Sequence, residues 1–191
     1  DIETEKITIV YPTETSSFHT SFMIDGVFHL RAREIGIVKY VDDDLERLRG
    51  TENVRVLGVF GVHKLPDDSL IVITQEIGIW KYKNKVFKQL PDNNKTAISS
   101  LWVFGSLQFL DGNFALWTFT NGIYIVDAAG NILNHINKNK GLASNDIKSL
   151  FQDSEQNIWA CTGNGMALID YYSPLTYYSP MHGIDGSVQG I

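Results

Sequence analysis

A motif centred on glycine recurs four times in this chain of 191 residues. In each copy a polar turn is followed by glycine and a bulky apolar residue, as in "REIGIVKY", "QEIGIWKY", "FTNGIYIV" and "TGNGMALI". The glycines Gly36, Gly78, Gly122 and Gly165 are separated by 42, 44 and 43 residues. A fixed period of about 20 to 50 residues is typical of solenoids and propellers. The chain is therefore predicted to be a repeat protein.

Alignment on the glycines gives two columns of shared character. The apolar column, six residues before each glycine, contains Leu30, Val72, Leu116 and Trp159. The small column, four residues before it, contains Ala32, Thr74, Thr118 and Cys161. Side chains alternate across a strand with a period of two, so both columns are predicted to lie on one side of a strand. Cys161 is accordingly predicted to be a buried, unreactive thiol.

Each repeat carries a second turn upstream of its glycine. These turns surround Asp25, Asp67, Asp111 and Asp153. Asp, Asn and Gly suit tight hairpins because they form local hydrogen bonds or tolerate positive φ. An apolar run precedes each turn and a short run follows each glycine strand, which predicts four strands per repeat. The predicted units are residues 18–49, 54–90, 97–137 and 145–178.

Four short antiparallel strands in each repeat indicate the blade of a β-propeller. Helical repeats have similar lengths, but they need apolar residues at a spacing of 3.6. Here the spacing is two, and Gly, Asp and Asn occur every 8 to 12 residues. The predicted fold is an all-β propeller arc of about four blades.

Both ends of the chain carry runs that fit incomplete blades. Residues 6–11, "KITIVY", are predicted to form the outer strand of a preceding blade, and residues 187–191, "SVQGI", the first strand of a following blade. The chain is therefore interpreted as an arc of a larger propeller. We expect such an arc to self-associate through its uncovered end sheets or to be only marginally stable.

Charge and apolar patterning exclude several functions. The net charge is −6, and no cluster of Lys and Arg suggests a nucleic-acid interface. The longest apolar runs are short, whereas a membrane helix needs about 20 apolar residues, so no direct membrane contact is expected. Cys161 is the single cysteine, and the five histidines fall at unrelated repeat positions. Neither a metal, a cofactor nor a catalytic group is expected.

A ligand is expected on one face of the arc. In a blade, the turn between the second and third strands lies beside the linker that joins two blades, and polar groups converging there form the default binding hypothesis. The candidate ligand-binding residues are Arg33, Glu34, Arg55, Gln75, Glu76, Asn121, Asn145 and Asn164. Structural roles are predicted for the four motif glycines, for Trp159 and for Asp153. The run Asp42 to Asp44 is interpreted as a solvated turn.

Residues 141–170, "GLASNDIKSLFQDSEQNIWACTGNGMALID", resemble the two-component regulator propeller repeat. One blade of that family is marked by "GL.sN.I.si..D..GniW.gT.nGl...d". Gln156 stands where the family has glycine, which affects only the local turn. The first three repeats share the period and the turns but lack the tryptophan signature.

The resemblance implies the periplasmic sensor region of a bacterial two-component protein. In that family, propellers of about seven blades precede a histidine kinase, and many of these sensors recognise oligosaccharides. The implied partners are a small-molecule or oligosaccharide ligand and the remaining blades and signalling domains of the parent chain.

Three function classes remain open from the sequence. The first is a non-enzymatic sensor that regulates a linked kinase. The second is a scaffold for protein contacts, and the third is a lyase similar to the streptogramin-type propeller enzymes. A lyase needs a general base and usually a metal, and no His and carboxylate pair recurs at matching blade positions.

Overall fold

The computed structural model describes residues 7–12, 14, 16–54, 58–92, 94 and 97–172. Within these residues the chain forms fifteen β-strands, three short 3₁₀ turns and no α-helix. The strands form four antiparallel sheets, each built from strands that are consecutive in sequence. The predicted fold class, an all-β propeller arc of sequential antiparallel blades, is confirmed.

Sheets 1 to 3 have four strands each. Sheet 1 contains β1 (Phe18–Ile24), β2 (Val27–Ala32), β3 (Gly36–Val41) and β4 (Asp44–Arg47). Sheet 2 contains β5 (Val59–Lys64), β6 (Leu70–Thr74), β7 (Ile79–Lys83) and β8 (Val86–Gln89). Sheet 3 contains β9 (Val103–Gln108), β10 (Phe114–Thr118), β11 (Ile123–Val126) and β12 (Ile132–Ile136). These strands lie within the ranges 18–49, 54–90 and 97–137.

Sheet 4 has three strands among the described residues. They are β13 (Ile147–Gln152), β14 (Ile158–Thr162) and β15 (Gly165–Ile169). The rest of the predicted unit 145–178, and the strand predicted at 187–191, lie outside the described residues.

The strand predicted at 6–11 is not formed over its described part. Residues 7–12 belong to no strand, and Ile7, Ile9 and Tyr11 are exposed. Alternating apolar residues do not make a strand by themselves, because a strand exists only where its backbone groups bond to a neighbouring strand. No described strand pairs with this segment.

The hairpin turns follow from their residues. Asp25 and Gly26, which join β1 to β2, have φ values of 51° and 74°. Asp42 and Asp43, which join β3 to β4, have φ values of 51° and 62°. Two consecutive positive φ values characterise the turn that matches the twist of paired strands, and Asp, Asn and Gly adopt it most readily. The acidic run at 42–44 is thus exposed, with Asp42 and Asp43 in the hairpin turn and Asp44 at the start of β4.

The chain divides into two compact units. The first comprises residues 1–103 with 128–131, and the second comprises 104–127 with 132–191. In the first unit, Ile37 of sheet 1 shares a core with Val62 and Val72 of sheet 2. In the second, Ile123 of sheet 3 shares a core with Ile158 of sheet 4, among other residues. In each unit one face of a sheet, here called its forward face, packs on the backward face of the next sheet.

Sheet 4 departs by one residue from the glycine alignment. Ala32 pairs with Gly36 in sheet 1, four residues apart, whereas Thr162 pairs with Gly165 in sheet 4, three residues apart. A slip of one residue moves a side chain to the opposite face. The position equivalent to Ala32 is therefore Thr162, not Cys161. Cys161 lies on the forward face and is exposed, so the prediction of a buried thiol is wrong.

The same slip moves Trp159 out of the apolar column. Its place is taken by Ala160, which is fully buried, while the Trp159 side chain is 36% exposed. Buried threonines support this register, because each donates a hydroxyl hydrogen bond to the carbonyl of its motif glycine. The three bonds are Thr74 to Gly78 at 2.6 Å, Thr118 to Gly122 at 3.1 Å and Thr162 to Gly165 at 2.9 Å.

Candidate functional site

The turns after β2, β6 and β14 are held by the residues that precede the first strand of the same sheet. The amide of Arg33 donates to the carbonyl of Ser17 at 2.9 Å, and the amide of Gln75 donates to that of Gly58 at 2.8 Å. In sheet 4 the amide of Gly163 donates to the carbonyl of Asp146 at 2.9 Å. Turn and linker therefore lie side by side in these sheets, which is the arrangement on which the candidate ligand-binding residues depend.

In the first unit, three of the candidate residues lie in one neighbourhood. Arg33 and Glu34 form the β2–β3 turn and are exposed. A methyl group placed on Gly58 would lie 3.1 Å from both the Gln75 side-chain oxygen and the Phe60 ring. Phe60 in turn contacts His19, which is close enough to Arg33 to feel its charge. Arg33 and Gln75 thus lie near a histidine and an aromatic ring, and Glu34 follows Arg33 in the turn.

The other candidate residues do not form one group. Glu76 follows Gln75 in the β6–β7 turn and is exposed. Arg55 lies outside the described residues. In the second unit, the carbonyl of Asn145 accepts the amide of Gly122 at 2.9 Å, which places Asn121 beside this linker. Asn164 is an exposed residue of the β14–β15 turn.

Asn145 and Asn121 also form hydrogen bonds that stabilise the local backbone. The side-chain oxygen of Asn145 accepts the amide of Lys138 at 2.8 Å and so supports the 3₁₀ turn Lys138–Lys140. The backbone amide of Asn121 donates to the hydroxyl of Thr118 at 2.8 Å. A ligand would therefore meet a fixed backbone at this end of sheet 3.

We call His19, Arg31, Arg33, Glu34, Phe60 and Gln75 the basic cluster. Its first residue is placed by a β-bulge. Phe18 pairs with Ala32 and Thr20 pairs with Arg31, so His19 is the extra residue of the ladder. Bulges redirect a side chain and are common beside functional sites. The exposed His19 ring meets the edge of Phe60, with ring centroids 5.3 Å apart and planes at 88°.

Arg31 is the member that the repeat columns did not reveal. It is 3% exposed and pairs with Ile37 on the forward face of sheet 1. The equivalent residues of the other sheets are Ile73, Trp117 and Cys161. A buried guanidinium costs free energy that an apolar side chain does not. Comparison of the column five residues before the motif glycine would have singled out this arginine.

Burial and neighbouring positive charge set the electrostatics of the basic cluster. Burial lowers the pKa of His19, and the guanidinium groups of Arg31 and Arg33 lower it further. Burial also lowers the pKa of Arg31, Arg33 lowers it further, and Glu34 acts in the opposite direction more weakly. The contributions of the two guanidinium groups show that cationic groups repel one another here, while burial acts by removing water from the charged forms. The cluster is thus locally basic in a chain whose net charge is −6.

A second feature is the forward face of sheet 4. Its apolar side chains are exposed: Phe151 by 65%, Trp159 by 36%, Met166 by 69% and Leu168 by 55%. Ser149, Phe151, Trp159, Ala160, Cys161 and Met166 line an open groove of about 440 Å³. The groove offers an apolar surface with few polar groups to orient a small ligand.

Asp153 organises the turn beside this face. Its carboxylate accepts the indole N–H of Trp159 at 2.8 Å and the amides of Glu155 and Asn157 at 3.0 and 2.9 Å. The bond from Trp159, followed by those from Asn157 and Glu155, lowers the pKa of Asp153 against the opposing effect of burial. Asp153 and Trp159 therefore support the β13–β14 hairpin.

Within the described ranges, no three His, Cys, Asp or Glu side chains lie together as metal ligands would. Nor does the described part of the chain contain a helix that is long and apolar enough to cross a membrane.

The chain is similar in structure to larger proteins. It matches the extracellular domain of the hybrid two-component system BT3049 from B. thetaiotaomicron with a TM-score of 0.66 and 18% identity, over 86% of this chain and 23% of that one. The extracellular domain of hybrid two-component system BT4673 from the same organism matches with a TM-score of 0.57 and 17% identity, over 83% of this chain and 24% of that one.

An enzyme has a similar fold. An inactive variant of virginiamycin B lyase from Staphylococcus aureus, crystallised with quinupristin, matches with a TM-score of 0.55 and 11% identity, over 86% of this chain and 59% of that one. At these identities the likeness shows the fold alone. The chain spans about a quarter of the length of the two sensor domains. No protein-family model and no curated protein matches it.

Proposed function

We propose that the chain is a non-enzymatic sensor segment of a bacterial two-component signalling protein, located in the periplasm. The observation that carries this proposal is the likeness over 86% of the chain to the extracellular domain of such a system. The repeat at residues 141–170 supports it independently, because its motif resembles the propeller repeat of these regulators. Ligand binding would regulate a histidine kinase in the parent protein.

The ligand is a small molecule or an oligosaccharide bound at the end of the sheets where turns meet linkers. Support comes from the polar residues there: Arg33, Glu34, Asn121 and Asn164 are exposed, and Gln75 is half-buried. The backbone amides of Arg33 and Gln75 bond to the linkers, and those of Asn121 and Asn164 bond to the hydroxyls of Thr118 and Thr162. A fixed backbone lowers the entropy lost when a ligand binds.

A thermal-shift screen of the 191-residue chain against a panel of oligosaccharides tests the sensor proposal. A ligand at 100 times its dissociation constant stabilises the folded state by about 2.7 kcal/mol, which corresponds to roughly 5 to 10 °C in Tm for a chain of this size. We expect at least one oligosaccharide to raise Tm in this way, with the rise reduced in a Gln75→Ala variant. If no oligosaccharide shifts Tm, the sensor proposal loses its support.

Lyase activity is the second candidate, because the virginiamycin B lyase shares the fold over 86% of this chain. The test is incubation of the chain with quinupristin, with and without Mg²⁺, followed by mass spectrometry. Cleavage that depends on Mg²⁺ would favour the lyase over the sensor, and intact quinupristin in both arms would favour the sensor.

A further inference from the structure

We propose that the basic cluster binds an anionic group, the carboxylate or sulfate of an acidic saccharide. The saccharide part of this inference rests on the proposed sensor function, whereas the anion part rests on the cluster itself. Arg31 and Arg33 supply the positive charge, the bulged His19 adjoins the residue that pairs with Arg31, and Phe60 and Gln75 form an adjoining wall.

The backbone fixes the position of Arg33 before any ligand arrives. Its amide donates to the carbonyl of Ser17 at 2.9 Å, and its own carbonyl accepts the hydroxyl of Ser16 at 2.6 Å. Arg33 is an exposed residue of the three-residue turn 33–35. A guanidinium on a fixed backbone can form two parallel hydrogen bonds to a carboxylate or sulfate with little loss of backbone entropy.

Arg31 adds positive potential from the strand side, and the His19 ring, whose pKa is lowered, adds a neutral hydrogen-bonding group. Arg31 is buried below the turn, where its charge is less screened by water than a surface charge would be. His19 is carried toward solvent by the bulge. An anion near Arg33 would offset the repulsion between the guanidinium groups of Arg31 and Arg33. The repulsion between these two groups therefore favours binding of an anion.

The wall of the cluster suits a sugar ring. Phe60 is half-buried, and its ring is within van der Waals reach of the position where a Gly58 side chain would begin. The side-chain oxygen of Gln75 lies equally close to that position, at 3.1 Å. Any larger residue at Gly58 would therefore contact both groups. An aromatic ring beside an amide offers one apolar surface and one hydrogen-bonding group, which is a common arrangement in small-ligand sites.

The first experiment tests the anion site alone. Sodium sulfate is titrated into the ¹⁵N-labelled chain at constant ionic strength, and NMR follows the Arg33 Nε–H and the His19 ring signals. We expect saturable shifts at both residues, and binding about tenfold weaker in Arg33→Gln because a charge-assisted hydrogen bond is lost. Lys88→Gln removes the same charge from an exposed site on β8 and should leave the shifts unchanged.

Two outcomes would overturn the anion site. One is a shift that grows linearly without saturating, and the other is an equal response in wild type and Arg33→Gln. Arg33→Lys keeps the charge without the planar fork and should bind with intermediate strength. Arg33 is exposed, so its variants are expected to retain the wild-type Tm, and that measurement shows whether a loss of binding reflects a loss of fold.

The second experiment identifies the source of the anion by calorimetry. The probes are trigalacturonate, a sulfated galactose disaccharide and neutral galactotriose. Tighter binding of one acidic probe than of galactotriose, weakened by Arg33→Gln, supports the inference and tells carboxylate from sulfate. Binding of galactotriose as tight as that of the acidic probes overturns it while leaving the sensor proposal intact. Binding of sulfate without any of the three saccharides supports the anion site and counts against saccharide sensing.

Discussion

At the scale of single residues, Gln156 occupies a backbone conformation that glycine would adopt more easily. Its φ is 71°, in the left-handed region, and glycine stands at this position of the propeller repeat that residues 141–170 resemble. A side chain in this conformation costs about 1 to 2 kcal/mol, part of which is offset because glycine loses more entropy on folding.

We therefore predict that Gln156→Gly raises the free energy of unfolding by about 0.5 to 1 kcal/mol. The hydrogen bond that the backbone amide of residue 156 donates to the carbonyl of Asp153, at 3.0 Å, does not depend on the side chain and should persist. Urea denaturation gives the measurement. Gln156→Ala is the control, since it removes the same polar group but keeps the Cβ. Equal gains in both variants would show that backbone conformation is not the cause.

His63 on β5 should make the chain sensitive to mild acid. Burial lowers its pKa to about 4 from an ordinary value of 6.5. Below pH 6.5 the unfolded chain takes up a proton that the folded chain does not, so stability falls as the pH drops from about 6.5 to 4.

We predict a loss from this group of about 1 to 3 kcal/mol over that window, because His63 is half-buried rather than fully enclosed. Thermal unfolding between pH 7.5 and 4.5 measures it. In His63→Gln the decline over this range should be shallower. A profile unchanged by the substitution would assign the pH dependence to other groups.

At the scale of elements, the motif turn depends on a buried hydroxyl. Thr118 is fully buried, donates to the carbonyl of Gly122 at 3.1 Å and accepts the amide of Asn121 at 2.8 Å. Valine has a similar shape, but it can neither donate nor accept a hydrogen bond. An unpartnered backbone amide inside a turn costs about 1 to 3 kcal/mol.

Thr118→Val is therefore expected to destabilise the chain by about 1 to 2 kcal/mol. Thr118→Ser keeps the hydroxyl and loses one methyl group, so the loss should be smaller. Chemical denaturation of both variants makes the comparison. If serine costs as much as valine, packing of the methyl group rather than the hydrogen bonds holds this turn.

The sequence predicts the strands well because their signal is local. Alternating apolar residues and Asp, Asn or Gly turns mark sheets 1 to 3 within the predicted ranges. The register of sheet 4 could not be read from the motif glycine, because the turn after Thr162 is one residue shorter than the turn after Thr118. Alignment on the threonines would have placed Trp159 and Cys161 on the correct face.

The site was harder to predict than the sheets. Arg33, Glu34 and Gln75 follow from the repeat, because the repeat predicts the turns. Arg31 does not follow from it, because a residue within strand β2 is expected to have a packing role, and burial of an arginine is not expected from sequence alone. Whether any of these residues binds a ligand stays a prediction.

At the scale of the whole molecule, no described residue covers the forward face of sheet 4 in the way that sheet 4 covers sheet 3. Ile123 and Ile125 of sheet 3 are each 1% exposed and share a core with Ile158 and Ala160 of sheet 4. Met166 of sheet 4 occupies the position of Ile123 and is 69% exposed. The two similar sensor domains are about four times as long as the part that this chain matches. In a larger propeller a further blade would cover this face.

For the 191-residue chain alone, we predict self-association through this face, with a second copy in place of the further blade. Contiguous apolar patches of a few hundred Å² are uncommon on stable monomers, and Phe151, Trp159, Met166 and Leu168 lie together on one side of the sheet. Association between two such faces removes apolar area from water on both copies. The apparent mass should therefore rise with protein concentration.

Sedimentation velocity over a hundredfold range of concentration measures this, and Leu168→Asp should shift the chain toward monomer because it places a charge in the contact. Val86→Asp is the matched control: it also introduces aspartate at an exposed apolar residue, on β8, with 63% exposure, and should leave association unchanged. A wild-type chain that stays monomeric throughout would show that the forward face of sheet 4 tolerates water. Equal effects of the two aspartates would place the contact elsewhere.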